Sequence, residues 1–199
     1  MAAAALIAAA YLCGSLPIGV WAGRWAGVDV QRAGSGNIGA TNVARTAGGR
    51  AALLTLSGDV GKGFLPAVLA QHVLNEPWVV ALTGVAAFFG HNFSIFLHFS
   101  GGKGVATAFG VFLGLTPMAA LVSLAVFVTA ALLTRYVSVA SMLAAVALAI
   151  TTAGAGYAVA LQFAALLTAG AIIARHHSNL ARLRQGTEPK FQIRRAHSP

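Results

Sequence analysis

The sequence predicts an all-α polytopic integral membrane protein with about seven transmembrane helices, forming a single membrane domain over residues 1–199. Three observations carry that prediction. Hydrophobic residues make up 58% of the chain and charged residues 9%, and the mean hydropathy of +0.79 lies outside the soluble globular range. The apolar residues fall into stretches approaching the roughly 20 residues that a bilayer core requires of a helix. Basic residues cluster after alternate stretches, the mark of loops retained in the cytoplasm.

The first stretch, residues 2–23, has no basic residue before its apolar run, so it reads as a retained span and not a secretory signal. Cys13 follows the bulky Leu12, which argues against a lipoprotein cleavage site. As the only cysteine, it also excludes an internal disulfide and a cysteine-based zinc site. Stretches at 51–74 and 77–97 follow. The fourth, 104–116, is short and stops at Pro117, so it is a tilted span, a re-entrant helix or half of a kinked hairpin. Stretches at 117–134, 138–154 and 157–174 complete the set. Their alanines and glycines indicate close helix packing, no tandem repeat is visible, and the tail after about residue 190 is expected to be flexible.

Arg24, Arg32, Arg45 and Arg50 follow the first stretch, Lys103 the third, Arg135 the fifth, and Arg175 with the basic tail the seventh. The opposite turns carry only Glu76. The N-terminus is therefore expected outside and the C-terminus in the cytoplasm, which places all the polar, glycine-rich loops on one face, where they can converge. A formal charge of +9 scattered singly between apolar stretches does not suit nucleic acid, and none is expected as a partner. Membrane lipids are the expected surroundings.

The loop GSGNIGATNVAR, Gly34 to Arg45, brings Ser35, Asn37, Thr41, Asn42 and Arg45 onto a glycine-spaced backbone that includes Gly36. Backbone N–H groups and these donors form a candidate phosphate cradle. In SGDVGKG, Asp59 and Lys62 stand three residues apart on one helical face, as either a structural or a functional ion pair. The loop ending SGGKG places Gly101, Gly102, Lys103 and Gly104 at the start of the fourth stretch, where a cation and free amides at a helix N-terminus bind anions. Neither lysine motif is a nucleotide P-loop, since Leu56 and Leu97 occupy the first-glycine positions. His91 and His98 have no carboxylate near them in sequence and suit interface packing better than ligation.

Ser138 and Ser141 share a face of the sixth stretch, Ser138 alternatively being its cap. The tail carries His176, Asn179, Arg182, Arg184 and Glu188. Asp29, Asp59, Glu76 and Glu188 are the only acids, too few for paired-carboxylate glycoside hydrolysis or an all-oxygen magnesium cage. No HxxxxD spacing is present. What remains is a site of cations, hydroxyls and amides that binds anions and stabilises developing negative charge. A small transporter would instead place polar groups near mid-membrane within inverted repeats.

SLPIG, GSGNIGATN, GHNFSIFLHFSGGKGVAT, RYVSVAS and HHSNLARLRQGTE, in this order, resemble the bacterial acyl-phosphate:glycerol-3-phosphate acyltransferases over most of the chain. The resemblance implies acyl transfer from a long-chain acyl-phosphate to the 1-hydroxyl of glycerol-3-phosphate, giving lysophosphatidic acid and phosphate. It implies location in the bacterial inner membrane with the active site toward the cytoplasm. No cofactor or metal is implied, and the acyl-phosphate-producing enzyme is an expected partner. By matched position, Ser35, Asn37, Thr41, Asn42 and Arg45 bind substrate phosphate, Lys103 lies in a glycine-flanked phosphate site, and Ser141, His176 and Asn179 complete the pocket. The family is thought to use a substrate phosphate oxygen as the base, with His176 the alternative.

Overall fold

The computed structural model describes residues 2–191. The tail expected to be flexible falls mostly outside the described residues. The described chain is helical without a strand: α1 (Ala2–Ser15), α2 (Ile18–Trp25), α3 (Ala40–Thr46), α4 (Gly49–Val73), α5 (Pro77–Asn92), a 3₁₀ turn at Ile95–Leu97, α6 (Val105–Leu115), α7 (Pro117–Thr134), α8 (Val137–Gly154), α9 (Val159–Arg175) and α10 (His177–Arg184).

Among the described residues, five segments are long and apolar enough to cross a bilayer: Ala2–Trp25, Gly49–Val73, Pro77–Leu97, Pro117–Thr134 and Val137–Gly154. A sixth appears when α9 and α10, bent by 51°, are taken together. The fourth apolar stretch becomes α6, only 11 residues long and ended before Pro117, whose missing N–H cannot continue the helix.

Small residues let these helices approach closely. A Cβ on Gly63 would strike the Thr107 carbonyl, and one on Gly110 the Val60 carbonyl, so α4 and α6 touch almost backbone to backbone. Gly14 and Gly90 do the same for α1 and α5, against Ala87 and Tyr11. The resulting apolar core includes Phe112, Val111, Leu115, Ala119, Ala120 and Leu148.

Pro17 breaks the first span, leaving carbonyls at its kink without intrahelical partners. Ser94 Oγ donates to the Ser15 carbonyl at 2.5 Å, and Lys62 Nζ to the Leu16 carbonyl at 2.8 Å. Lys62 also pairs with Asp59 at 2.9 Å, as their spacing predicts, with both side chains 3% exposed. The histidine that appears isolated in the sequence, His91, joins them: its Nδ1 lies 3.5 Å from the same Asp59 oxygen. The break in α1–α2, the pair on α4 and the end of α5 are thus tied by one buried polar cluster.

Candidate active site

The loops after the first, third, fifth and seventh apolar stretches converge on one cavity of about 250 Å³. It has a polar mouth and an apolar arm. Ser35, Asn37, Thr41, Asn42, Arg45, Lys103, Gly104, Ser141, His176 and Asn179 all line it. Gly36, Gly101 and Gly102 do not; they hold the two loops in shape.

The first loop folds around Asn42. Its side-chain amide donates to the Val30 and Ala33 carbonyls at 3.0 and 3.1 Å and accepts the Ser35 N–H at 2.9 Å. Both of its amide protons are therefore spent within the loop. Asn37 Oδ1 accepts the Gly39 N–H at 2.8 Å, an Asx turn that leads into α3. Gly36, at φ +71°, makes the turn that hydrogen-bonds to the Ala33 carbonyl. Arg45 projects from the last turn of α3, exposed and without an ion-pair partner among the described residues.

The second loop is held on both sides. The Gly101 and Gly102 N–H groups donate to the Asn92 and His91 carbonyls at 3.2 and 3.1 Å, so they are not the free anion-binding amides their position suggests. From the other side Arg175 donates to the Gly101 carbonyl at 2.9 Å and to the Gly102 carbonyl at 3.0 and 3.2 Å. Gly104, at φ +76°, then turns the chain into α6 where a Cβ would strike Phe88 and Asn92. This clamp presents Lys103 at the mouth of the cavity.

Lys103 Nζ donates to Asn179 Oδ1. The Asn179 amide donates to Glu188 at 2.6 Å, and Ser138 Oγ and Arg182 Nε donate to the same carboxylate, each at 2.7 Å. Ser138 thus serves Glu188 and does not cap α8. Glu188, named in the tail but given no role by sequence reasoning, lines the cavity; its only signal is scarcity, since an acid in a chain with four must be compensated. Burial alone would raise its carboxyl, but the hydrogen bonds from Asn179, Ser138 and Arg182 hold it below the ordinary carboxylate range. Lys103 is pushed down to about 8, first by burial and then by Arg182, with Glu188 opposing.

His176 is pushed down to about 4, chiefly by burial, so it is neutral near pH 7. Its Nδ1 lies 2.7 Å from the Ile172 carbonyl, which can only accept, so Nδ1 carries the proton and Nε2 keeps its lone pair. Ser141 turns its own proton back to the Val137 carbonyl at 2.8 Å. Behind this polar mouth, Val60, Val105, Ala108, Phe109, Phe127 and Ala144 line the arm. Among the described residues no cluster of His, Cys, Asp and Glu could hold a metal ion.

The glycerol-3-phosphate acyltransferase family model matches residues 4–186. The glycerol-3-phosphate acyltransferase of Trichlorobacter lovleyi is 48% identical over 186 residues, covering 94% of this chain and 96% of that protein. That of Geobacter sulfurreducens is 46% identical over 188 residues, with the same coverage. The fold matches the crystal structure of PlsY (YgiH), an integral membrane glycerol 3-phosphate acyltransferase in its glycerol 3-phosphate form, with TM-score 0.94 and 40% identity over 96% of each chain. The lysophosphatidic acid form of that protein matches with TM-score 0.91, also at 40% identity over 96% of each chain. With the motifs, the helical order and the cavity in agreement over nearly the whole length, this chain belongs to the glycerol-3-phosphate acyltransferase family of integral membrane enzymes.

Proposed function

We propose that the chain transfers a fatty acyl group from acyl-phosphate to the 1-hydroxyl of glycerol-3-phosphate, releasing lysophosphatidic acid and inorganic phosphate. One observation carries the reading: a single cavity joins a cationic mouth, with Arg45 and Lys103, to an apolar arm. Both substrates are anionic at the reacting end, and the donor is apolar at the other.

Arg45 and Lys103 offset the repulsion between two phosphates and hold the reacting groups together. Ser35, Asn37 and Thr41 add donors to the phosphate cradle, while Asn42 and the clamped Gly101–Gly102 segment fix its shape. The acceptor hydroxyl attacks the acyl carbonyl carbon, the bond to the phosphate oxygen breaks, and phosphate departs. A side chain held near pKa 4 is a weak base at neutral pH, so His176 Nε2 accepts a hydrogen bond that orients the hydroxyl. The hydroxyl proton leaves on the departing phosphate, which balances the reaction without an acyl-enzyme, cofactor or metal. Lys103 stabilises charge developing on the leaving group.

The reading includes a membrane arrangement. All seven apolar stretches cross, α6 as the short span, with the N-terminus outside and the C-terminus in the cytoplasm of a bacterial inner membrane; the mouth then faces the compartment that supplies glycerol-3-phosphate. Reporter fusions placing both ends on one side would overturn it. The acyl-phosphate-producing enzyme is the proposed partner at that face.

The test of the reaction is donor choice. Purified protein in lipid vesicles should form lysophosphatidic acid from palmitoyl-phosphate and labelled glycerol-3-phosphate. Palmitoyl-CoA, which carries no phosphate on its scissile carbonyl, should not replace it, and chelators should leave the rate unchanged. Comparable rates with palmitoyl-CoA would overturn the mechanism.

A further inference from the structure

Two residues of the cavity lining, Ala120 and Leu148, are also buried members of the apolar core. Helices α7 and α8 run antiparallel, and Ser123 Oγ donates to the Ala144 carbonyl at 2.8 Å, which fixes their register. One turn farther from the mouth, Ala120 on α7 therefore lies level with Leu148 on α8. Both line the cavity, both are nearly inaccessible at 1% and 3%, and both belong to the packed core with Phe112 and Leu115.

The lining of α8 changes along its length in a way that suits a chain entering from the mouth. Ser138 and Ser141 are polar, Ala144 and Ala145 are small, and Leu148 is the large side chain that α8 contributes after them. From Ser141 to Leu148 the helix rises about 10 Å, at about 1.5 Å per residue. A tail can run past the alanines and then meets a branched side chain backed by core.

Resting on the proposed reaction, we infer that Leu148, opposed by Ala120, is the stop against which the methyl end of the donor's acyl chain ends, so that this pair selects acyl-phosphates by length. A chain that is too short leaves the end of the arm unfilled, and one that is too long cannot seat its carbonyl at Lys103. Each methylene that gains or loses a place is worth roughly fourfold in kcat/KM.

The test uses purified protein in vesicles with dodecanoyl-, tetradecanoyl-, hexadecanoyl- and octadecanoyl-phosphate. Leu148→Ala should move the optimum toward the longer donor, with the ratio between neighbouring even chains changing on the order of tenfold. Ala120→Leu should move it the other way by a similar factor. Should Ala120→Leu fail to fold, Ala120→Val gives the same direction with less added volume. Unchanged length profiles in active variants would overturn the stop and place the chain end elsewhere, toward the side where Leu56 and Leu124 line the cavity and are 46% and 40% exposed. Wild-type protein that turns over no acyl-phosphate would instead overturn the proposed reaction itself, and the stop with it.

Discussion

Lys103 ties catalysis to pH in a direction opposite to stability. Its ammonium, pushed down to about 8, must be charged to hold a phosphate oxygen. In free enzyme the active fraction therefore halves near pH 8 and falls about tenfold per further pH unit, and kcat/KM for glycerol-3-phosphate should follow. The bound dianion favours the charged amine, so the corresponding limb in kcat should lie higher. For the fold the sign reverses. Between about 8 and the ordinary lysine value of 10.5 the unfolded chain holds more protons at this group than the native protein. Its contribution to stability thus rises with pH across that window. A loss of rate at pH 9 without a loss of melting temperature separates deprotonation from unfolding. Lys103→Arg, charged throughout, should remove the limb whatever its absolute rate, since the guanidinium titrates above about 12. The assay is initial rate against pH in vesicles, corrected for spontaneous acyl-phosphate hydrolysis. A flat kcat/KM to pH 9.5, or a limb that persists in Lys103→Arg, would refute the assignment.

Arg45→Ala should lower kcat/KM by roughly tenfold to over a hundredfold with little change in melting temperature, because the exposed guanidinium makes no ion pair among the described residues and a charge-assisted contact is worth about 1.5–3 kcal/mol; near-wild-type turnover would displace the cradle. Arg175→Ala removes the hydrogen bonds to the Gly101 and Gly102 carbonyls and should raise the KM for glycerol-3-phosphate about tenfold. Arg175→Lys should not restore it, since an ammonium cannot reproduce the fork; full recovery would reduce Arg175 to a simple charge. Asp59→Asn strands Lys62 in the bundle and should cost about 3–5 kcal/mol, seen as lower yield and melting temperature with specific activity of the folded fraction largely kept. Inorganic phosphate should inhibit competitively with acyl-phosphate, and purely noncompetitive inhibition would place its site elsewhere.

The sequence by itself determined whatever depends on composition and near neighbours. Apolar run length sets the membrane class, Pro117 stops α6, and a three-residue spacing pairs Asp59 with Lys62. Loop polarity alone brought Ser35, Arg45, Lys103, Ser141, His176 and Asn179 to one face, and the cavity gathers them all. Only the tertiary structure decided which polar groups were already spent. The Asn42 amide is consumed by carbonyls nine and twelve residues back, and the Gly101 and Gly102 amides by the end of α5. Glu188 becomes the hub of the mouth through Ser138, 50 residues away, and His91 joins Asp59 across two helices. Leu148 meets Ala120 through a helix register that one hydroxyl fixes. The physical reason is that hydrogen-bonding capacity is finite and shared. Residue type and spacing show what a side chain can offer, whereas packing brings distant partners within about 3 Å and so decides which offers remain open to a substrate.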